Sequence, residues 1–426
     1  MIESVKGMKD YYPTDWSEVR FVRDTWLTLG RSYGYEEFEG PALESMELYI
    51  GKTNQEIINE QTFLALDKNG NELIMRPELT PTLARMVAQR EYELSMPLKW
   101  QSFGRFFRYE KPQRGRSRAF FQWNIDLIGI DSIYADIEML QLVVESMRRL
   151  GLTPREVQIK INNREALQKA LVENMKVEVS QVPNVLRVLD RMDKLGLERT
   201  IETLSNTGLS VGQTDMLLAL LDRDDCIYDP WFEELFTIAD QIGLLDYLVI
   251  DPRISRGFDY YTGIVFESWA RTGLRRALGG GGRYDNLTRT VGGRRVLPGL
   301  GFAVGDVPVI ELLRETGKPA GEDTAARVLV TVFAESLAVD SFMLASKLRD
   351  AGIPTSVYNG PGDKLKKQLK YADRREMRYA LILGPEEKRS GTVVVKDLDA
   401  ITQSSVALDA VVEAISGRFI KAEKTT

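Results

Sequence analysis

Residues 98–108 and 120–130 are two long runs rich in apolar and aromatic side chains, separated only by a polar, basic, glycine-containing connection at 110–118. Strands joined so briefly pair antiparallel, because a parallel return needs a crossover of about a dozen residues or more. A second pair points the same way. Residues 63–66 and 73–75 read as strands on either side of Lys68, Asn69, Gly70 and Asn71, a composition that favours chain reversal. The predicted sheet is antiparallel, not a wound parallel one.

Helices should flank it. Val19, Val22, Trp26, Leu29 and Tyr33 recur at alternating spacings of three and four, the apolar stripe of an amphipathic helix. Pro41 follows in YEEFEGPALE and, lacking an amide hydrogen, suits the edge or end of a strand. Residues 133–150 read as helix, and Val157, Ile159 and Ile161 alternate as a strand. Residues 164–246 read as mostly helical and are taken as an insertion. Sheet signals return at 248–254 and 263–268, glycines fill 279–282, and a helix is predicted near 306–314. Residues 315–325, ETGKPAGEDTA, lack an apolar stripe and make the best domain boundary. Beyond it, strands at 326–333, 354–358, 379–383 and 392–396 alternate with helices at 337–350 and 363–373, as in a small α/β domain with a partly parallel sheet. The expected fold class is α/β, with an α+β domain from 1–163 and 247–318, a helical insertion at 164–246 and a terminal α/β domain at 326–426.

Composition narrows the chemistry. The chain has no histidine, which excludes that residue as metal ligand, general base or nucleophile and leaves carboxylates, Arg, Lys, Tyr and bound substrate. Its single cysteine, Cys226, excludes an intramolecular disulfide and a cysteine metal cluster and fits a reducing compartment. The start, MIESVKGMKDYYP, has no basic segment followed by an apolar core, and no run is long enough to cross a bilayer. A cytoplasmic location without a membrane partner is expected. The net charge of −6 argues against a generic nucleic-acid binder, yet from Arg327 onward 16 basic residues face 13 acidic ones, so phosphate affinity is expected to reside in the tail, if anywhere.

The connection between the first strand pair, within GRFFRYEKPQRGRSRAFFQWNID, holds six basic residues and one acid between Arg105 and Arg118, with aromatics on both flanks. Arginine forks suit phosphate oxygens and aromatic faces stack on bases, although such a loop taken alone is as well explained by solvation. The pattern resembles motif 2 of class II aminoacyl-tRNA synthetases. GMKDYYP near the start, RPELTPTLARM (76–86), RGFDYYTGIVFE (256–267), GGGGRYDNL (279–287) and PGLGFAVGD (298–306) are similar, in order and spacing, to the histidyl-tRNA synthetase family over essentially the whole chain.

The resemblance implies a class II antiparallel sheet flanked by helices and a C-terminal anticodon-binding domain. It also implies a homodimer that activates histidine with ATP and Mg²⁺ and transfers it to the 3′ end of tRNA(His). Arg108 is then the motif 2 arginine at the α-phosphate, and Arg256 a second cation at the same phosphate. Glu110 and Arg116 would hold the adenine and outer phosphates. Glu78, Thr80, Gln122 and Asp126 fall to the histidine ammonium side, Leu79 also belongs to the histidine site, and Tyr260, Tyr261 and Tyr284 line the imidazole pocket. Gln113, Arg114, Lys366, Lys367 and Arg374 would meet tRNA. No protein metal-ligand set is assigned, and the glycines at 279–282 are read as close backbone packing beneath the pocket, not as a phosphate loop. A histidine-free chain of this kind can be translated while charged histidyl-tRNA is scarce.

One departure matters. Most class II enzymes carry an arginine on the helix after motif 3 to clamp the γ-phosphate, whereas this chain has GDVPVIELL with Pro308 near that position. We read this as a feature of an archaeal-like branch, with Arg116 or Arg118 as substitutes. Two alternatives stay open: a catalytically silent partner of ATP phosphoribosyltransferase, a relative that generally lacks the C-terminal domain, and a tRNA-sensing module without turnover, which Pro308 favours.

Overall fold

The predicted amphipathic helix is α1 (Pro13–Ser32) in a computed structural model that describes residues 2–50, 58, 60–189, 191–222, 229–254, 260–274, 276–318, 321, 326–360 and 364–423. Val19, Val22, Trp26 and Leu29 are buried along one face, and Pro13 opens the helix where no amide bond is lost. β1 (Glu36–Glu37) and β2 (Leu43–Ser45) follow, with Pro41 between them in neither strand. β3 (Phe63–Leu66) and β4 (Glu72–Met75) pair antiparallel around Gly70, whose φ of +85° suits a residue without a Cβ. With β2 they make a small sheet of order β2-β4-β3.

After α2 (Thr80–Gln89), β5 (Leu98–Phe107) and β6 (Ala119–Ile128) form the long antiparallel pair, from Leu98 opposite Ile128 to Phe107 opposite Ala119. The unit continues with α3 (Ile133–Arg148), β7 (Val157–Asn163), β8 (Leu248–Ile250), β9 (Ile264–Ala270), β10 (Ala277–Arg283), β11 (Gly299–Gly305) and α4 (Asp306–Glu315). The main sheet has order β1-β5-β6-β11-β10-β9-β7-β8. Its centre is antiparallel, as expected, and parallel pairing is confined to its edges, β1 with β5 and β8 with β7.

Period-two alternation assigns the two faces of this sheet. Trp123, Ile125 and Leu127 of β6 and Leu300, Phe302 and Val304 of β11 join the apolar faces of α1, α3 and α4 in the main core. Gln122, Asn124 and Asp126 must therefore point the other way.

The helical segment expected as one insertion divides. Helices Val182–Leu189, Leu197–Asn206 and Val211–Leu221 share a separate apolar cluster with Leu167 and Leu171. Phe232, Leu235 and Ala239 of helix Pro230–Gln241 instead pack into the main core. An amphipathic stripe says that a helix buries one face, not which core receives it.

Residues 322–426 form a second unit. Its sheet has order β13-β12-β14-β15-β16, from β12 (Val328–Val330), β13 (Thr355–Val357), β14 (Tyr379–Ile382), β15 (Thr392–Asp397) and β16 (Thr402–Ala407). β12 is parallel to both neighbours and the rest is antiparallel. Helices α5 (Ala338–Asp350) and α6 (Leu365–Arg374) match the pattern; residue 363 lies outside the described residues. Among the described residues no helix is long and apolar enough to cross a membrane.

Candidate active site

The polar face of β6 forms the floor of a cavity of about 250 Å³ in the first unit. Gln122, Asn124 and Asp126 line it from β6, and Gly301 and Ala303 from β11. The glycines make the room. A Cβ on Gly301 would come within 2.3 Å of Asp126 Oδ1, and one on Gly299 within 2.4 Å of the Tyr284 ring. The glycine run itself lies in β10, where a Cβ on Gly281 would meet the Gly301 carbonyl at 2.0 Å. The run is thus close-packed sheet and not a loop.

At one end of the cavity, the Tyr284 hydroxyl donates to Asp126 Oδ1, with both residues buried. Burial pushes the Asp126 carboxyl up to about 7, against the downward pull of the Tyr284 bond. The Tyr284 hydroxyl is likewise pushed upward, first by burial and then by the Asp126 charge. Beside this pair, Tyr260 OH donates to Glu78 Oε2 at 3.1 Å, and the Tyr260 ring stands 4.7 Å from Tyr261 and 6.1 Å from Tyr284. Thr80 and Tyr261 line the same space. Gln122 Oε1 is buried with no hydrogen-bond partner among the described residues, and such an atom needs a donor from a ligand or water.

The other end is basic. Arg108 donates through Nε to the Pro77 carbonyl at 3.0 Å and lies 5.5 Å from the Phe120 ring centroid. Arg116 pairs with Glu110 at 2.8 Å. Pro308 lines the cavity where α4 begins, so the structure supplies no cation at that position. Arg118 is not among the lining residues. Its guanidinium sits 3.8 Å from the Tyr109 ring centroid and donates to the carbonyls of Glu110 and Lys6, which removes it as a substitute.

Most of the anticipated residues therefore converge: Glu78, Thr80, Arg108, Glu110, Arg116, Gln122, Asp126, Tyr260, Tyr261 and Tyr284 all line one cavity. Leu79 does not. It caps α2 with its side chain turned into the interior, 1% exposed, as an apolar chain between polar neighbours should be. Arg256 lies outside the described residues. Gln113 and Arg114 are exposed at the loop tip, where Arg114 pairs with Glu311 at 2.8 Å and with Glu315. Lys366, Lys367 and Arg374 are exposed on α6, while Gln368 and Ala372 are buried.

Sequence reasoning passed over Arg276, Glu267 and Asn124, which also line the cavity. Asn124 was legible, because it shares the β6 face with Gln122 and Asp126. Arg276, amid RTGLRRAL, carried no signal of its own.

Comparisons with known proteins identify the family. A histidyl-tRNA synthetase family model matches residues 7–307, and an anticodon-binding domain model matches residues 327–418. The histidine-tRNA ligase of Leptospira biflexa is 33% identical, covering 98% of each chain. That of Haloarcula marismortui is also 33% identical, covering 96% of this chain and 97% of its own. Equal identity to a bacterial and an archaeal relative does not single out an archaeal branch. The crystal structure of histidyl-tRNA synthetase from Nostoc sp. PCC 7120 shares the fold, with a TM-score of 0.83 at 23% identity, covering 98% of this chain and 99% of that one. With about seven-tenths of its length matched by the family model and near-complete relatives above 30% identity, the chain belongs to the histidyl-tRNA synthetase family.

Proposed function

We propose that the chain activates histidine with ATP, releasing pyrophosphate, and transfers it from the adenylate to the 3′ end of tRNA(His). The observation that carries this reading is one cavity with a buried carboxyl–phenol pair at one end and arginines at the other. Asp126 and Tyr284 offer an acceptor and a hydroxyl to imidazole nitrogens. Because Asp126 bonds Tyr284, we assign it to the ring and not to the ammonium group with which its sequence position had grouped it. Glu78, Thr80 and the unpartnered Gln122 Oε1 receive the ammonium. Sites that bond a substrate's polar atoms reject analogues lacking them by roughly 10⁴–10⁵-fold, so no editing step is required.

The histidine carboxylate attacks the α-phosphorus in line while pyrophosphate departs, and the tRNA ribose hydroxyl then attacks the adenylate carbonyl. Arg108, held by the Pro77 carbonyl, faces the α-phosphate, where a preorganised donor typically contributes ~2.7–4 kcal/mol; Arg256 is assigned beside it. Glu110 and Arg116 take the adenine and outer phosphates. No group of three carboxylates close enough to hold a metal alone occurs among the described residues. Mg²⁺ would therefore be held by ATP oxygens with at most Glu110 or Glu267, as such sites commonly are, and would supply charge neutralisation on the phosphates.

The assembly and location belong to the same reading. Residues 164–246 are inserted between the two parts of a catalytic domain of 1–163 and 247–318, with the last helix of the insertion packed into that domain's core, and 326–426 serve as the anticodon-binding domain. Lys366, Lys367 and Arg374 of that domain, with Gln113 and Arg114 of the loop, meet tRNA. A homodimer would rest on exposed apolar surfaces such as the small sheet, where Leu43, Leu64 and Leu66 are exposed. The single cysteine supports a reducing, cytoplasmic setting, and the Gly305–Asp306 start without arginine supports the archaeal-like branch.

Purified protein should exchange pyrophosphate into ATP with histidine and with no other standard amino acid. Equal exchange with proline, threonine or glycine would overturn the assignment.

A further inference from the structure

Pro308 puts no cation in the first turn of α4, yet one reaches that end of the cavity from another element. A Cβ on Gly305 would lie 3.4 Å from Pro308 Cδ and 4.0 Å from the Leu278 carbonyl, so the strand that carries Leu278 passes beside Pro308. Arg276 lies at the entry to that strand and lines the cavity with Pro308 and Arg116. Its Nη1 donates to the Arg114 carbonyl at 3.3 Å and stands 3.1 Å from where a Cβ on Gly115 would be.

Arg276 has no ion pair among the described residues, whereas Arg114 and Arg116 beside it do: Arg114 with Glu311 and Glu315, Arg116 with Glu110. A guanidinium has five N–H donors, so most of this one is uncommitted. Burial, followed by repulsion from Arg116, lowers its proton affinity against the pull of Glu110. An arginine nevertheless stays charged at neutral pH. A half-buried cation with no ion pair among the described residues, beside a second cation, is an arrangement that a bound polyanion relieves.

We propose that Arg276 binds the γ-phosphate end of ATP and the departing pyrophosphate, in place of the cation missing at Pro308. The proposal rests on the adenylation reading. In that reaction an oxygen of the histidine carboxylate bonds to the α-phosphorus. The bond from that phosphorus to the α–β bridging oxygen breaks, and pyrophosphate leaves with the electron pair. Arg276 touches only the leaving group, so its removal weakens ATP and pyrophosphate but not AMP. A mere strut for the 110–118 loop, acting through the Arg114 carbonyl, would instead shift Arg108 and Glu110 and weaken ATP and AMP together.

The test compares full-length Arg276→Ala and Arg276→Gln with the parent, measuring ATP and AMP dissociation constants by calorimetry and melting temperature as a check on folding. Glutamine can still donate to the Arg114 carbonyl but carries no charge. Both variants should lose ATP affinity by about 10–100-fold, the worth of a charge-assisted phosphate contact, with AMP affinity nearly unchanged. Equal weakening of ATP and AMP, or parental ATP affinity in Arg276→Gln, overturns the proposal. Failure of the parent to show histidine-dependent exchange would count against the adenylation reading, while the ATP-to-AMP ratio still decides whether Arg276 holds the phosphate tail.

Discussion

Tyr284→Phe removes one oxygen from the cavity and leaves its shape intact. That oxygen is the donor to Asp126 Oδ1, in a pair that is buried on both sides. Hydrogen bonds to charged groups contribute about 1.5–3 kcal/mol, a factor of roughly 10–150 in an equilibrium constant. The Tyr284 bond is also what draws the Asp126 proton affinity down against burial, which sets it at about 7. Without it the carboxyl should titrate higher and be mostly protonated at neutral pH. If ionised Asp126 accepts an imidazole N–H, the KM for histidine in pyrophosphate exchange should rise by about 10–100-fold at pH 7, with a smaller effect on kcat and none on the KM for ATP. The ratio of variant to parent cancels the titration of histidine itself. That ratio should shrink as pH rises toward 9 and Asp126 ionises, whereas Asp126→Asn should show no such recovery. A loss falling on ATP, or one independent of pH, would refute the assignment of Asp126 to the imidazole.

Gly301→Ala places a Cβ 2.3 Å from Asp126 Oδ1 and 2.6 Å from the Ile125 carbonyl; overpacking of this kind costs about 1–3 kcal/mol, so thermal melting should fall and histidine activation with it. Asp306 is fully buried, with Oδ1 accepting from the Phe121 amide at 2.9 Å, Oδ2 unpartnered among the described residues, and its carboxyl pushed by burial to about 7. A folded-state value raised above the unfolded one gives stability that is complete below about pH 4 and lost by about pH 7, so the melting temperature of Asp306→Asn relative to the parent should climb across that window and level off above it; a flat difference would show that Asp306 does not titrate there. Replacing Lys366, Lys367 and Arg374 by Ala should leave pyrophosphate exchange intact and flatten the dependence of log tRNA affinity on log salt by about 0.7–0.9 per lost contact, and an unchanged slope would exclude α6 from the tRNA surface.

What the sequence discloses depends on whether a residue's signal is local. The β5–β6 hairpin is legible because both its strands and its short connection lie within 31 residues, 98–128, and its alternation alone separates Trp123, Ile125 and Leu127 from Gln122, Asn124 and Asp126. β16 is not legible. Five of its six residues are exposed and its sequence is TQSSVA, so no apolar period announces a strand that exists because β15 offers it a paired edge. The same division runs through the site. Tyr284 and Asp126 are 158 residues apart, and each alone reads as an ordinary packed polar residue; only family motifs bring them to one place, and even these leave open which substrate atom each faces. Pairing Asp126 with Tyr284 settles its neighbour and so moves it from the ammonium side to the ring side of our assignment. Arg276 marks the limit. It precedes a glycine strand, follows another arginine and belongs to no helix stripe, and its significance comes from Pro308, 32 positions later in the chain, having no charge. A missing side chain leaves no trace in local propensity, and its consequence can be read only where folding brings another residue to the vacated position.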